Sequence, residues 1–367
     1  MKTIRVLVID DSALVRKLLT EILESDPAIE VCGTAADAYA ARRKIKRLRP
    51  DVLTLDVEMP RMDGITFLRN LMRLHPMPVI MVSALTQKGA AVTQQALELG
   101  ALDFVGKPKA DIAHALDDYQ DEIIEKIKMA ANARIGAIGL RQVAKTPLDD
   151  GSPGRAAKDT ALDTAVMNDS LVVIGASTGG TEAIKEILQQ LPVSMPGILI
   201  TQHIPSVFSA HFAERMNDLC DLTVCEARQG HRIEPGHVYI APGDRHLCIA
   251  REAKGYICLL DDGPPVNRHI PSVDMLFRSA VNSTGADTIG VLLTGMGMDG
   301  AHGLKELQET GASTIVQDES TSVVWGMPGA AIELGAADTI LPLGQIADRI
   351  MSLLQEAGPV QKRRVSN

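Results

Sequence analysis

Asp10, Asp11, Asp56, Ser83 and Lys107 each end or follow a short apolar run in the first third of the chain. Ligands of open parallel sheets bind beyond the carboxyl ends of the strands, so these residues would share one edge. Three carboxylates gathered there repel one another unless a cation intervenes. Hard oxygen donors from few side chains suit Mg²⁺, which keeps several waters and favours phosphate oxygens. A lysine and a hydroxyl on the far side would pair with a bound phosphoryl group, and one carboxylate could be the nucleophile that forms an aspartyl-phosphate. Each aspartate taken singly reads more readily as a helix cap. All of these positions at strand ends, with Lys107-Pro108 as the last, favour a phosphoryl site.

A second set lies further along. Gly175-Ala176-Ser177-Thr178-Gly179-Gly180 joins an apolar run to a helical one, the strand-turn-helix context in which G-x-S-x-G exposes a serine oxygen. The same turn suits phosphate binding at a helix N-terminus, or a simple cap, and the pattern alone leaves all three readings open. A serine nucleophile needs a base within reach and a third group to orient that base. His203 closes the run 197–203, and Asp299 lies just beyond the run 289–294, so both fall on the edge that carries Ser177. A lone histidine in such a place is more often a structural hydrogen-bonder. His269 and His302 are weaker candidates for the base. The chain order Ser, His, Asp differs from the Ser, Asp, His order of α/β-hydrolases.

The elements that position these residues follow from periodicity. Apolar runs at 4–10, 30–34, 51–57, 78–83 and 103–107 alternate with helical spacing at 12–25, 37–48, 64–74 and 89–100, closed by a helix around 118–134. That alternation predicts a parallel sheet of flavodoxin-like order with helices on both faces. Residues 136–169 are rich in Pro, Gly, Ser, Asp and Lys and lose apolar periodicity, the composition of a flexible linker. Order resumes at 170 with a second, mainly parallel α/β series. Within it, 237–262 reads as a β-hairpin inserted in or flanking the sheet. The expected domains are therefore 1–135, a linker 136–169, and 170–358, with Lys362-Arg363-Arg364 as a solvated tail.

The 367 residues carry a net charge of -9 and only 3% aromatic residues. Both facts weigh against nucleic-acid binding, which rests on cationic neutralisation and stacking. No run is long enough to span a bilayer, and the start of the chain has no signal-peptide pattern. Five scattered cysteines without an export signal read as free thiols, in a cytoplasmic protein with no membrane insertion.

Asp10-Asp11-Ser12, Asp56-Val57-Glu58-Met59-Pro60-Arg61-Met62-Asp63-Gly64, Ser83-Ala84 and Lys107-Pro108 together resemble the response-regulator receiver family. The resemblance implies Asp56 as phosphoacceptor, Asp10, Asp11 and Asp56 as Mg²⁺ ligands with the Glu58 carbonyl, and Ser83 and Lys107 as phosphoryl contacts. Its switch position falls on Phe104, which lacks a hydroxyl.

The second domain resembles the bacterial chemotaxis protein-glutamate methylesterases. The resemblance rests on 175–180, His203-Ile204-Pro205-Ser206-Val207-Phe208, Ile240-Ala241-Pro242-Gly243, 262–267, Pro271-Ser272-Val273-Asp274, 294–300 and Trp325-Gly326-Met327-Pro328, where Trp325 replaces an expected Phe. It implies hydrolysis of glutamate methyl esters on the cytoplasmic helices of methylated chemoreceptors, and deamidation of particular receptor glutamines. The implied catalytic residues are Ser177, His203 and Asp299, with Thr178 and Met296 N–H groups for the oxyanion and no cofactor for the esterase step. A histidine kinase is the implied phosphodonor, and the unphosphorylated receiver is expected to inhibit. Residue chemistry alone leaves two rivals: a receiver whose output domain only binds a partner or DNA, and a hydrolase of small-molecule esters.

Overall fold

The computed structural model describes residues 3–83, 87–107, 113–133 and 164–357. The chain divides into two compact units, Met1–Thr146 and Pro147–Asn367. Most of the expected linker, 136–163, lies outside the described residues, as do Ala84, Pro108 and the 362–364 tail. The end of that linker is not irregular: Thr164–Asp169 is a helix, α6.

In the first unit, β1 (Ile4–Ile9), β2 (Ile29–Ala35), β3 (Val52–Asp56), β4 (Val79–Ser83) and β5 (Asp103–Gly106) form one five-stranded sheet in the order β2-β1-β3-β4-β5. Every pairing is parallel, the expected flavodoxin-like arrangement. The helices are α1 (Ala13–Glu24), α2 (Ala38–Leu48), α3 (Gly64–Leu74), α4 (Gln87–Glu98) and α5 (Ala113–Asn132). Their starts are set locally. Ser12, Asp37 and Asp63 each accept a hydrogen bond from a backbone N–H in the first turn of α1, α2 and α3, satisfying donors that a helix leaves open. β3 and β4 are buried along their whole length, because helices cover both faces of a parallel sheet.

The second unit is built on β6 (Leu171–Ala176), β7 (Gly197–Gln202), β8 (Thr223–Glu226), β10 (His237–Ile240), β13 (Thr288–Leu292), β14 (Ser313–Gln317) and β15 (Thr339–Leu341). These make a seven-stranded sheet in the order β15-β14-β13-β6-β7-β10-β8, parallel at each pairing. β9 (Arg232–Ile233), β11 (His246–Glu252) and β12 (Gly255–Asp261) form a separate antiparallel sheet, β11-β12-β9. The expected hairpin is thus narrower than 237–262. His237–Ile240 is a parallel strand inside the main sheet, between β7 and β8, and its last three residues are buried, as a short continuous apolar run between covered faces should be. The hairpin proper pairs His246 with Asp261 and turns between Glu252 and Gly255.

The helices of this unit are α7 (Gly180–Leu188), α8 (Ser206–Leu219), α9 (Val273–Ser283), α10 (Ala301–Glu309), α11 (Met327–Glu333) and α12 (Leu343–Glu356). The sheet order reverses at β6, whose neighbours are β7 and β13. The crevice beyond that reversal is where open α/β sheets bind ligands. Beneath it, Phe277 of α9 is fully buried in the main core with Val273, Leu304 and Leu307. Phe277→Ala is expected to destabilise this unit by about 3–5 kcal/mol through lost burial and a cavity. Val193→Ala, at a position 57% exposed, should stay within about 0.5 kcal/mol, both read from urea unfolding.

Candidate active site

Ser177 follows β6 directly and is held at its backbone from three sides. Its N–H donates to Thr294 O at 3.0 Å, its carbonyl accepts Gly180 N–H at 2.7 Å, and Gln202 Nε2 donates to the same carbonyl at 2.9 Å. The turn needs its glycines. Gly179 has φ of +79°, and a Cβ on Gly180 would stand 2.2 Å from Gln202 Oε1. Thr178 is buried, and its carbonyl accepts Thr294 Oγ1–H at 3.0 Å. The loop after β13 lies against the serine: a Cβ on Gly295 would sit 2.8 Å from Ser177 Cβ, and half-buried Met296 is the next residue.

His203 follows β7, and its N–H donates to Ala176 O at 3.2 Å. Its ring presents Nε2 to Asp299 Oδ2 at 2.9 Å. The other nitrogen, Nδ1, is buried with no hydrogen-bond partner among the described residues. A ring that donates through Nε2 carries its lone pair on Nδ1, the nitrogen left to serve as base.

Asp299 is buried, and its carboxylate is surrounded by donors. Oδ1 accepts from Asn267 Nδ2 at 2.8 Å, Ser272 Oγ at 2.8 Å and Asp274 N at 3.3 Å. Oδ2 accepts from Val273 N at 2.6 Å as well as from His203. Val273 and Asp274 open α9, so the carboxylate sits at a helix N-terminus, where open N–H groups favour negative charge. Burial opposes ionisation, but the hydrogen bond and charge of His203, then Asn267 and Val273, outweigh it and hold the carboxyl far below its usual range. Asp274 returns the capping: its Oδ1 accepts Gly303 N–H of α10 at 2.7 Å, and its Oδ2 accepts Asn267 Nδ2 at 2.8 Å.

The expected Ser177 and His203 therefore follow adjacent strands directly at the switch point, and Asp299 lies in the loop after β13. Of the weaker base candidates, His302 is exposed at the start of α10, whereas His269 lies at the site, stacked on His203 with centroids 3.8 Å apart. Gln202, Ser272 and His246 are site residues that the sequence reading does not single out. Buried His246 accepts Ser272 N–H on Nδ1 at 3.0 Å and donates from Nε2 to Pro264 O at 3.0 Å. That pairing sets its neutral tautomer.

In the first unit, Asp10, Asp11 and Asp56 bring carboxylate oxygens within 4.8 Å of one another. Asp10 and Asp56 are fully buried, Asp11 and Glu58 exposed. Lys107 Nζ lies 2.8 Å from Asp56 Oδ2 and 3.5 Å from Asp10 Oδ2. Ser12 and Glu58 N–H groups donate to Asp10 and Asp56 at 2.8 and 3.1 Å. Burial raises the Asp56 carboxyl to about 6, with Lys107 opposing and Asp10 adding to the rise. Burial likewise raises Asp10. One ammonium does not balance three clustered carboxylates, and an oxygen-only donor set of this kind fits Mg²⁺. Ser83 is buried, and its carbonyl accepts Lys107 N–H at 2.8 Å. Phe104 is buried too, with Lys126 Nζ 5.4 Å from its ring centroid.

Comparison with known proteins follows the same division. Residues 172–350 match the family described as CheB methylesterase, and residues 6–117 match the response regulator receiver domain. A protein-glutamate methylesterase/protein-glutamine glutaminase of Hydrogenovibrio crunogenus is 54% identical over 97% of this chain and 100% of its own length. A similarly described protein of Geobacter metallireducens is 52% identical, covering 97% of each chain. The CheB methylesterase catalytic domain of Thermotoga maritima is 38% identical, covering 50% of this chain and 98% of that one at a TM-score of 0.49.

A carboxyl raised on folding from the ordinary 3.8 to about 6 makes the folded state bind its proton more tightly. The stability this gives is full below pH 4 and is lost as pH rises through 6. In metal-free protein, the difference in melting temperature between Asp56→Asn and wild type should therefore grow in favour of the variant from pH 4 to 7. Mg²⁺ should stabilise wild type more than the variant. A difference that stays flat across that range would contradict the Asp56 assignment.

Proposed function

The chain belongs to the protein-glutamate methylesterase/protein-glutamine glutaminase family, and on that premise we propose that Ser177, His203 and Asp299 hydrolyse methyl esters of chemoreceptor glutamates under control of phosphorylation at Asp56. The observation that carries the reading is the 2.9 Å His203–Asp299 pair, with the second imidazole nitrogen unpaired among the described residues on the strand edge that bears Ser177.

Ser177 Oγ attacks the ester carbonyl carbon as His203 Nδ1 takes its proton. Asp299 holds the imidazole orientation and stabilises the imidazolium. The Thr178 and Met296 N–H groups are assigned to the developing oxyanion, where preorganised donors contribute most. The tetrahedral adduct collapses by breaking the C–O bond to methoxide, which takes the proton from His203 and leaves as methanol. His203 then deprotonates water for attack on the acyl-serine, and the glutamate carboxylate and Ser177 hydroxyl are restored. With a glutamine side chain, the same sequence expels ammonia, so one site serves both reactions.

In the receiver unit, Asp56 accepts the phosphoryl group from a histidine kinase, and Lys107 and Ser83 contact its oxygens. A Mg²⁺ held by Asp10, Asp11, Asp56 and the Glu58 carbonyl would offset the negative charge gathered there. Phosphorylation relieves inhibition by shifting the receiver between two states. Among the described residues no helix is long and apolar enough to cross a membrane, in keeping with action on receptors from the cytoplasm.

Methanol release from methylated receptor membranes should rise when a small phosphodonor and Mg²⁺ are added. It should vanish in Ser177→Ala while Asp56 is still phosphorylated. Near-normal release in that variant would remove Ser177 from the mechanism.

A further inference from the structure

Val266 and His269 face each other as an antiparallel pair, exchanging N–H···O bonds of 3.1 and 2.9 Å. Between them Asn267 and Arg268 have φ of +52° and +67°. Positive φ at both central positions is the mark of a two-residue type I′ turn, which favours Asn at the first of them. Arg268 occupies a backbone region that is unfavourable for a residue with a Cβ. Such strain persists where surrounding contacts over-determine it.

Two of the turn's contacts reach the catalytic pair. Asn267 Nδ2 is shared between Asp299 Oδ1 and Asp274 Oδ2, both at 2.8 Å, the two carboxylates that cap α9 and α10 reciprocally. His269 lays its ring over His203 at 3.8 Å and an interplanar angle of 15°. One short turn thus touches the orienting carboxylate with its first central residue and the imidazole face with its closing residue.

We propose that the Val266–His269 turn is a positioning element for the reaction, with Asn267 fixing the Asp299 carboxylate and His269 fixing the plane of the His203 ring. Both residues act through His203 and Asp299, by the stack and the hydrogen bond. Asn267 stops the carboxylate from rotating about its own axis, so Oδ2 stays on the imidazole. The stacked His269 ring blocks tilting of His203, keeping Nε2 on the carboxylate and Nδ1 free to act as the base. A flat neighbour is what this role requires, so another aromatic ring can replace it.

The inference rests on the Ser177–His203–Asp299 reading above, and Ser177→Ala measured alongside separates the two. Activity in Ser177→Ala overturns that reading; an inactive Ser177→Ala with normal turn variants overturns only the turn. Asn267→Gly deletes the amide but suits the positive φ, and His269→Ala deletes the stack. Steady-state methanol release by the full chain should show kcat reduced about 10-fold or more in each, with KM within about 2-fold, since small misplacement of catalytic groups costs on the order of 10- to 100-fold in rate. His269→Phe should recover most of the loss. Thermal melts establish folding, and if His269→Ala does not fold, Asn267→Gly and His269→Phe carry the test. Wild-type kcat in Asn267→Gly, or a folded His269→Phe reduced 10-fold or more, would overturn the proposal.

Discussion

A single buried carboxylate organises the catalytic unit. An ionised aspartate removed from water costs several kcal/mol unless hydrogen bonds and an opposite charge compensate it. Asp299 is compensated by the first N–H groups of α9, by Ser272 and Asn267, and by His203. Each donor comes from a segment that has to be in place before the charge is tolerable. The loop after β13, the entrance of α9 and the Val266–His269 turn are therefore tied to one atom group. Asp274 extends the tie to α10 through Gly303. A site that costs this much to assemble is also preorganised, since little is left to rearrange when charge develops on the imidazole.

The sheet order supplies the other half of the geometry. β6 lies between β7 and β13, so the residues that follow these strands emerge side by side at the reversal of the winding. Ser177 and His203 come within a few residues of their strand ends, and backbone bonds from Thr294 and Ala176 stitch the adjoining loops together. The receiver unit applies the same rule to different chemistry. Its carboxylates stand at the ends of the adjacent strands β1 and β3, with Lys107 reaching them from the end of β5 beyond β4, but they are left under-neutralised, which suits a site that must accept a cation and a phosphoryl group.

The residues proposed to carry chemistry were legible because they sit at fixed offsets from strands that periodicity alone can find. Asp10, Asp56, Ser83 and Lys107 mark the ends of apolar runs, and so do Ser177 and His203. Asp299 needed only the glycine-rich turn after β13. Their supports were not legible. Gln202 ends its strand as a buried amide whose partner, the Ser177 carbonyl, is 25 residues away in sequence. The Asn267 contacts depend on helix starts meeting across the fold, which no local pattern encodes. The misreading of His237–Ile240 has a similar cause. Four residues are too few for alternation to distinguish a hairpin arm from a buried parallel strand, and only the sheet around it decides. Past Gln317 short elements such as β15 and α11 gave too little periodicity to assign.

The claim that Asp299 sets the reactivity of Ser177 through His203 can be measured without any receptor. A fluorophosphonate reagent labels a serine only when its base is correctly placed, and peptide mass mapping identifies the residue. Wild type should be labelled at Ser177, and Asp299→Asn should be labelled on the order of 10³- to 10⁴-fold more slowly, as expected when the imidazole tautomer is lost. Equal labelling rates in the two proteins, or labelling at a different serine, would contradict the account.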